Sequence, residues 1–390
     1  MDGSGAESTP AATDGSRGGE RRRRTFGMEE ELLLVSPETG EPVPLASGLL
    51  EGYQRPAGPG GGPVLTAEFQ QEMIEVVTPP HATMATLEAD IILGRAMADA
   101  EARRVGVRAA ALGTSPLPTD PHPVQLRRFI AMTEEYGLTA REQLTCGCHI
   151  HVAVDSDDEG VAVLDRIRTW LPVLSALSAN SPFWHGQDSG YASYRAQVWS
   201  RWPSAGPLDI LGSPDAYHQL VHDMVSTGVL LDEGMVYFDA RLSRHYPTVE
   251  IRIADVCLRP QNAVLLAGIA RGLVETAARE WRAGVPPVAV PTELVRLATW
   301  KASRWGLRGK LLDPLTLQPA AALAVVNVLL DHIREALEDM GDLGRVEELV
   351  DDVLAVGTGA SRQLEVLHRA GELEAVVADA ADCTVWVAAE

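Results

Sequence analysis

The run Phe26-Gly27-Met28-Glu29-Glu30-Glu31-Leu32-Leu33-Leu34-Val35 places glutamates inside what reads as an apolar β-strand. Side chains at i and i+2 of a strand share one face, so Glu29 and Glu31 project side by side. Carboxylates held that close repel and raise each other's pKa unless a cation sits between them. Hard cations such as Mg²⁺ or Mn²⁺ take oxygen ligands of this kind. The ordinary alternative is an exposed acidic patch at a strand start. Three further segments repeat the design.

The second is Glu68-Phe69-Gln70-Gln71-Glu72-Met73-Ile74-Glu75-Val76-Val77. Glu75 lies in an otherwise apolar strand end, where a lone carboxylate needs a partner or a metal. Glu68 and Glu75 differ in strand parity and converge only through a bulge or bend. A salt-bridged edge glutamate is the bland alternative for Glu75. The third segment is Cys146-Gly147-Cys148-His149-Ile150-His151-Val152. Two cysteines and two histidines suggest zinc, but a strand sends His149 and His151 to one face and both cysteines to the other. Four tetrahedral ligands cannot converge from both faces. The cysteines therefore read as small buried residues, and His149 as a metal or phosphate contact or a satisfied structural histidine. The fourth segment runs from Thr248 to Asp255. Val249, Ile251 and Ile253 form its apolar face; Thr248, Glu250 and Arg252 form the other. A cross-strand ion pair on a solvated sheet is the alternative there.

Repeated glutamate with one histidine and one arginine fits a cation-plus-phosphate site better than a solvated sheet face. Arginine offers a bidentate fork to phosphoryl oxygens, and Arg241 and Arg244 stand just before the fourth strand. Residues 181–203 are polar and aromatic and read as a substrate lid, with Tyr194 within it and Arg195 able to hold a carboxylate. No Walker A loop or G-x-G-x-x-G fingerprint is present, so a nucleotide binds by another mode.

Charge narrows the partners. The 33 basic and 54 acidic side chains leave a net charge of -21, which disfavours nucleic acid and anionic membrane. Four cysteines in 390 residues are no disulfide framework. Arg21 to Arg24 are followed by acids rather than an apolar run, so a twin-arginine signal is rejected, and no segment is apolar enough to span a bilayer. The expected location is cytoplasmic.

Residues 1–24 lack large apolar side chains and read as a disordered tail, leaving 25–390 as one catalytic domain. Strands are expected over 26–35, 65–77, 145–154 and 247–256. Helices are expected over 83–112, 158–180 and most of the chain beyond Pro260. Short strands carrying chemistry, with helices between and after, indicate an α+β fold whose sheet is covered on one face.

The motifs Gly27-Met28-Glu29-Glu30-Glu31, Glu75-Val76-Val77-Thr78-Pro79, Cys146 to Val152 and Thr248-Val249-Glu250-Ile251-Arg252 resemble those of the carboxylate–amine ligases of the glutamate–cysteine ligase type 2 family. Ser181-Pro182-Phe183-Trp184, Ala192-Ser193-Tyr194-Arg195 and Gly357-Thr358-Gly359-Ala360 are similar too, in order from about residue 25 to 385. Lys301 and Met73 depart from the pattern without touching the proposed ligands. The resemblance implies a glutamine-synthetase-like fold: a curved antiparallel sheet forming a funnel, helices on its back. It implies ATP and Mg²⁺ or Mn²⁺, and a reaction forming a γ-glutamyl amide from glutamate and cysteine or another amine through an acyl phosphate. By the same likeness Glu29, Glu31, Glu75, Glu250 and His149 match metal positions, with Glu68 as a further ligand. Arg252 matches the arginine on the transferred phosphoryl group, with Arg241 beside it. Arg244 and His151 are assigned to the nucleotide, Arg195 and Tyr194 to the substrate, and a homodimer is a family-level expectation. The competing readings are a metal-dependent amide hydrolase and a relative that binds nucleotide or metal without turnover.

Overall fold

The computed structural model describes residues 23–55 and 61–385. Its strands are β1 (Phe26–Val35), β2 (Val64–Ala67), β3 (Met73–Val77), β4 (Arg108–Ala110), β5 (Gly147–Ala153), β6 (Phe183–Trp184), β7 (Gln187–Asp188), β8 (Ala240–Leu242), β9 (Thr248–Asp255), β10 (Lys310–Leu312) and β11 (Pro319–Ala321). The main sheet has the order β2-β3-β1-β5-β9-β8, with every pairing antiparallel. Leu33 pairs with Met73 on one edge of β1 and Ala110 on the other, so β4 continues the β5 edge. β6–β7 and β10–β11 are separate two-stranded pairs.

Period-two burial explains why the sheet is covered on one side. Cys148, Ile150 and Val152 of β5 and Val249, Ile251 and Ile253 of β9 are buried in one apolar core. Helices Met84–Arg104, Asp157–Ile167, Leu171–Ser178 and Pro260–Arg282 contribute to that core, with Ala322–Met340 and Leu343–Val356 behind them. Its aliphatic, aromatic-poor make-up follows from a chain that is only 5% aromatic. Among the described residues no helix is long and apolar enough to cross a membrane.

Of the three consecutive glutamates, the middle one faces the helices. Glu30 is 2% exposed and receives both Nε (2.9 Å) and Nη2 (2.5 Å) of fully buried Arg95. Arg95 also donates to the carbonyls of Cys257 and Leu258. This fork ties β1 to the end of β9 through the helix Met84–Arg104, and frees only Glu29 and Glu31 for the opposite face.

Several expectations shift. The stretch 65–77 is a hairpin, β2 and β3, because the connector is pinned: buried Gln70 donates to the carbonyls of Ala140 and Gln143, and Glu72 accepts from the His122 N–H. The helix expected to reach Leu112 stops at Arg104. Gly106 takes φ +82°, and buried Ala109 and Ala110 pair with β1 instead; tertiary pairing overrides the helical propensity of alanine. The segment 158–180 is two helices, and helices Arg127–Tyr136 and Pro214–Ser226 stand where none was foreseen.

Residues 1–22 of the expected tail lie outside the described residues, but Arg24 does not belong to a tail. It is 8% exposed, donates to Glu159 and Glu275 at 2.6 Å each, and to the carbonyl of Ala153. Without Arg24, Glu275 keeps Arg279 but buried Glu159 keeps only a 3.8 Å cation contact, to Arg282, and breaking such a buried pair costs up to about 3–5 kcal/mol. A chain beginning at Thr25 is therefore expected to melt below one beginning at Arg23; coincident melting curves would remove Arg24 from the folded core.

Candidate active site

Strand register brings the acids together. Glu29 lies opposite His149, Glu31 opposite Glu75, and His151 opposite Glu250, which in turn faces Arg241. These residues share the sheet face turned away from the helix-covered core. A register shift between Cys148 and Ile150 of β5 against β9 leaves His149 outside the regular ladder, beside Arg252. Glu29, Glu68, Glu75, His149, His151, Arg241, Arg244, Glu250 and Arg252 line one cavity of about 260 Å³. Glu68 reaches it from the bend after β2, the bend its parity required.

Glu29 binds both histidines: Oε2 lies 3.2 Å from His149 Nδ1 and Oε1 lies 3.3 Å from His151 Nε2. His151 Nδ1 meets Thr248 Oγ1 at 2.9 Å. Glu31 accepts the Gly147 N–H, and its other oxygen is 3.9 Å from His149 Nε2. Glu250 takes a two-pronged contact from Arg241, at 2.8 and 3.2 Å, and an ion pair from Arg252. Arg241 is also committed to the carbonyls of Gly234 and Val236. It braces Glu250, while Arg252 keeps a buried Nε without a partner.

Charge is unevenly distributed. Burial pushes the Glu250 carboxyl up, but Arg252 and Arg241 outweigh it and hold that group well below the usual carboxylate range. Burial likewise opposes ionisation of Glu29, and its bonds to His149 and His151 overcome this. Glu75 has no such partner. Desolvation, then the charges of Glu29, Glu68 and Glu31, push it well up, and Glu68 rises to about 8 through burial and Glu31. Burial and the neighbouring Arg252 lower His149, keeping its imidazole neutral. The Glu68–Glu75 end thus lacks a positive charge that the Glu250 end already has.

Among the described residues two sets offer ligand atoms within 4.8 Å of one another: Glu29, Glu75 and His149, and Glu29, His151 and Glu250. The donors are carboxylate oxygens and imidazole nitrogens, and the buried Nε2 of His149 lacks a hydrogen-bond partner. The donor set therefore fits a divalent cation.

Arg195 occupies the same face. It is 2% exposed, its guanidinium lies over β5 at Gly147, and a Cβ at Gly147 would stand 2.3 Å from Nη2. Trp199 lies between two guanidiniums, 5.5 Å from Arg195 and 5.9 Å from Arg252. The segment expected to be a lid is fastened down: Asp255 accepts from the hydroxyls of Ser181 and Ser193 and from the Asn180 N–H. Arg195 and Arg252 line a second cavity of about 250 Å³.

Most of the expected residues meet at these two cavities. Tyr194 lines neither, and packs its ring against Trp184 and Tyr191. Arg244 stands exposed at the first cavity's mouth, 3.6 Å from Glu233. Cys148 is buried on the opposite face from the histidines, as parity required, and all four cysteines are free. Sequence reasoning missed the position of His151 within a carboxylate set, which its spacing from His149 signalled, and missed Arg128, Tyr237 and Asp239, for which no motif gave a signal.

Comparison with known proteins agrees in sequence and fold. The sequence profile of glutamate–cysteine ligase family 2 matches residues 25–379. A Streptomyces avermitilis protein provisionally named glutamate–cysteine ligase 2-1 is 55% identical over 356 residues, covering 91% of this chain and 98% of that protein. A Streptomyces coelicolor protein provisionally named glutamate–cysteine ligase 2 is 53% identical over 355 residues, covering 91% and 97%. The crystal structure of the Francisella tularensis glutamate–cysteine ligase in complex with AMP superposes with a TM-score of 0.68 at 14% identity, covering 93% of this chain and 89% of that one. A bifunctional glutathione synthetase from Pasteurella multocida also gives 0.68, at 16% identity, over 93% of this chain and 52% of that one. At such identities these two likenesses establish the fold.

Proposed function

This chain belongs to glutamate–cysteine ligase family 2, and from that premise we propose that it is an ATP-dependent ligase joining the γ-carboxylate of glutamate to an amine, nominally that of cysteine. The observation that carries the reading is the meeting of Glu29, Glu68, Glu75, Glu250 and His149 with Arg252 around one cavity; Glu31 does not line it and reaches it only through His149, at 3.9 Å. In the proposed reaction the γ-carboxylate oxygen attacks the terminal phosphorus of ATP and ADP leaves. The amine then attacks the acyl carbon, the C–O bond to phosphate breaks, and inorganic phosphate departs with that oxygen.

The chain's side chains have separable parts in this scheme. Arg252 would hold a phosphoryl oxygen in flight, where preorganised charge contributes most, and its unpartnered Nε supports that role. Arg241 fixes Glu250, and Glu250 in turn orients Arg252. Glu29, Glu75 and His149 are the better-suited cation seat, since Glu250 already carries two guanidiniums and Glu75 has none. A bound Mg²⁺ or Mn²⁺ would supply the positive charge that lets these acids coexist with ATP. An apolar cavity of about 320 Å³ borders Glu29 and His151 and is lined by Phe26, Val77, Pro79 and Tyr246 among others; it suits the nucleotide base.

Screening carboxylate and amine pairs for ADP release tests the reading and identifies the amine. ADP release that needs both substrates supports it. Amide hydrolysis without nucleotide would favour the hydrolase that the same acids and His149 could otherwise form.

A further inference from the structure

The second cavity holds an arrangement that the scheme above leaves unused. Asp239 is 8% exposed, and its Oδ2 is buried with no hydrogen-bond partner among the described residues. Its carbonyl accepts the Arg252 N–H at 2.9 Å, and its parity matches that of Arg241, so its side chain stands on the active face next to Arg252. Arg195 lines the same cavity; its buried Nε is also unpartnered, its contacts to the carbonyls of Arg252 and Ile253 are long, at 3.4 Å, and the Asp255 carboxylate lies 3.9 Å away. Arg296 stands at the exposed rim, and Trp199 and Trp300 complete the walls. A buried carboxylate left without a partner is costly. Here it shares a cavity with a guanidinium whose Nε is free, so the two are complementary to a ligand carrying one positive and one negative group.

Resting on the ligase reading, we propose that this cavity seats the α-amino-acid head of the carboxylate donor, with Asp239 receiving its ammonium and Arg195 its α-carboxylate. Chemistry decides which of the two substrates belongs here. The attacking amine must be neutral with a free lone pair, and an ion-paired carboxylate would hold its proton in place. The donor's α-ammonium never reacts, so a permanent partner costs the reaction nothing. An amino acid seated this way sends its side-chain carboxylate past Arg252, which lines both cavities, towards the acids of the first. Asp239 is thus a specificity-determining residue, favouring a donor with an α-ammonium over a plain dicarboxylate.

The test compares L-glutamate with glutarate, which lacks the ammonium, and with 4-aminobutyrate, which lacks the α-carboxylate. Direct calorimetric titration of the full chain reads affinity without turnover. The wild-type protein should prefer L-glutamate to either analogue. Asp239→Asn should weaken L-glutamate about 10- to 100-fold, the size of one charge-assisted contact, and leave glutarate nearly unchanged, with the melting temperature as the check on folding. Asp239→Glu should recover part of the loss. Equal weakening of L-glutamate and glutarate would make Asp239 merely structural and overturn the proposal. So would a selective rise in the amine's KM, or absence of L-glutamate binding by the wild type. The two readings fail separately. Asp239-dependent glutamate binding without ADP formation retires the ligase reading alone; glutamate-dependent ADP formation unaltered in Asp239→Asn retires this proposal alone.

Discussion

Arg252→Lys is expected to slow ATP turnover by about two to three decades, roughly 3–4 kcal/mol of lost transition-state stabilisation, with little change in melting temperature. Lysine keeps the charge beside Glu250 but loses the planar fork. Glu250 retains its two contacts from Arg241, so its carboxylate is not stranded. Arg252 lies on the polar face of β9, whose register is fixed by buried Val249, Ile251 and Ile253 on the other side. If Arg252 were only a buried ion-pair partner of Glu250, lysine would keep the charge of the pair and turnover would change little. Steady-state ADP release and thermal melting of the one variant separate the cases. Turnover within a few-fold of wild type would end the phosphoryl-clamp assignment.

The second large effect is expected at Glu75, with an unusual signature. Burial and the charges of Glu29, Glu68 and Glu31 already disfavour ionised Glu75 in the metal-free chain, so Glu75→Gln puts a neutral amide where a charge is unwelcome. The metal-free melting temperature should stay level or rise. The rise in melting temperature produced by Mg²⁺ or Mn²⁺ in the wild type should shrink, because a ligand that binds only the folded state stabilises it by its affinity. Turnover should fall by about two to three decades. Glu30→Gln should show the reverse: an intact cation response but a fold weakened by roughly 3–5 kcal/mol, because Arg95 is left charged and fully buried. If Glu75→Gln lowers metal-free stability and preserves the cation response, Glu75 is a structural residue.

The contrast between Glu30 and its neighbours also marks how far the sequence could be read. Strand parity alone separated Glu29 and Glu31 from the buried side, placed His149 and His151 together, and turned Cys148 away. Those are period-two statements that need only a strand. The partner of Glu30 was beyond reach, because Arg95 lies 65 residues away on a helix whose docking angle no local pattern encodes. Arg24 was assigned to a tail on the composition around it, whereas its burial depends on Glu159 and Glu275, far along the chain. The strand Arg108–Ala110 was hidden for the same reason: alanine favours helix in isolation and joined the sheet because β1 offered an edge. Glu68 was legible as an acid but not as a neighbour of Glu75 until the bend between β2 and β3 was known. Asp239 had no motif around it at all; it acquires meaning only from its hydrogen-bonded place beside Arg252 and from the cavity it shares with Arg195.

The most direct measurement follows oxygen. L-glutamate carrying ¹⁸O in its γ-carboxylate is incubated with ATP, Mg²⁺ and the amine identified by screening, and the released inorganic phosphate is analysed by mass. An acyl phosphate binds the phosphoryl group through a γ-carboxylate oxygen, and attack of the amine breaks the bond between that oxygen and the acyl carbon. The account predicts one ¹⁸O in the inorganic phosphate for each amide formed, with no labelled phosphate when the amine, glutamate or divalent cation is omitted. Amide formation accompanied by unlabelled phosphate, or hydrolysis of a γ-glutamyl amide that proceeds without nucleotide, would contradict it.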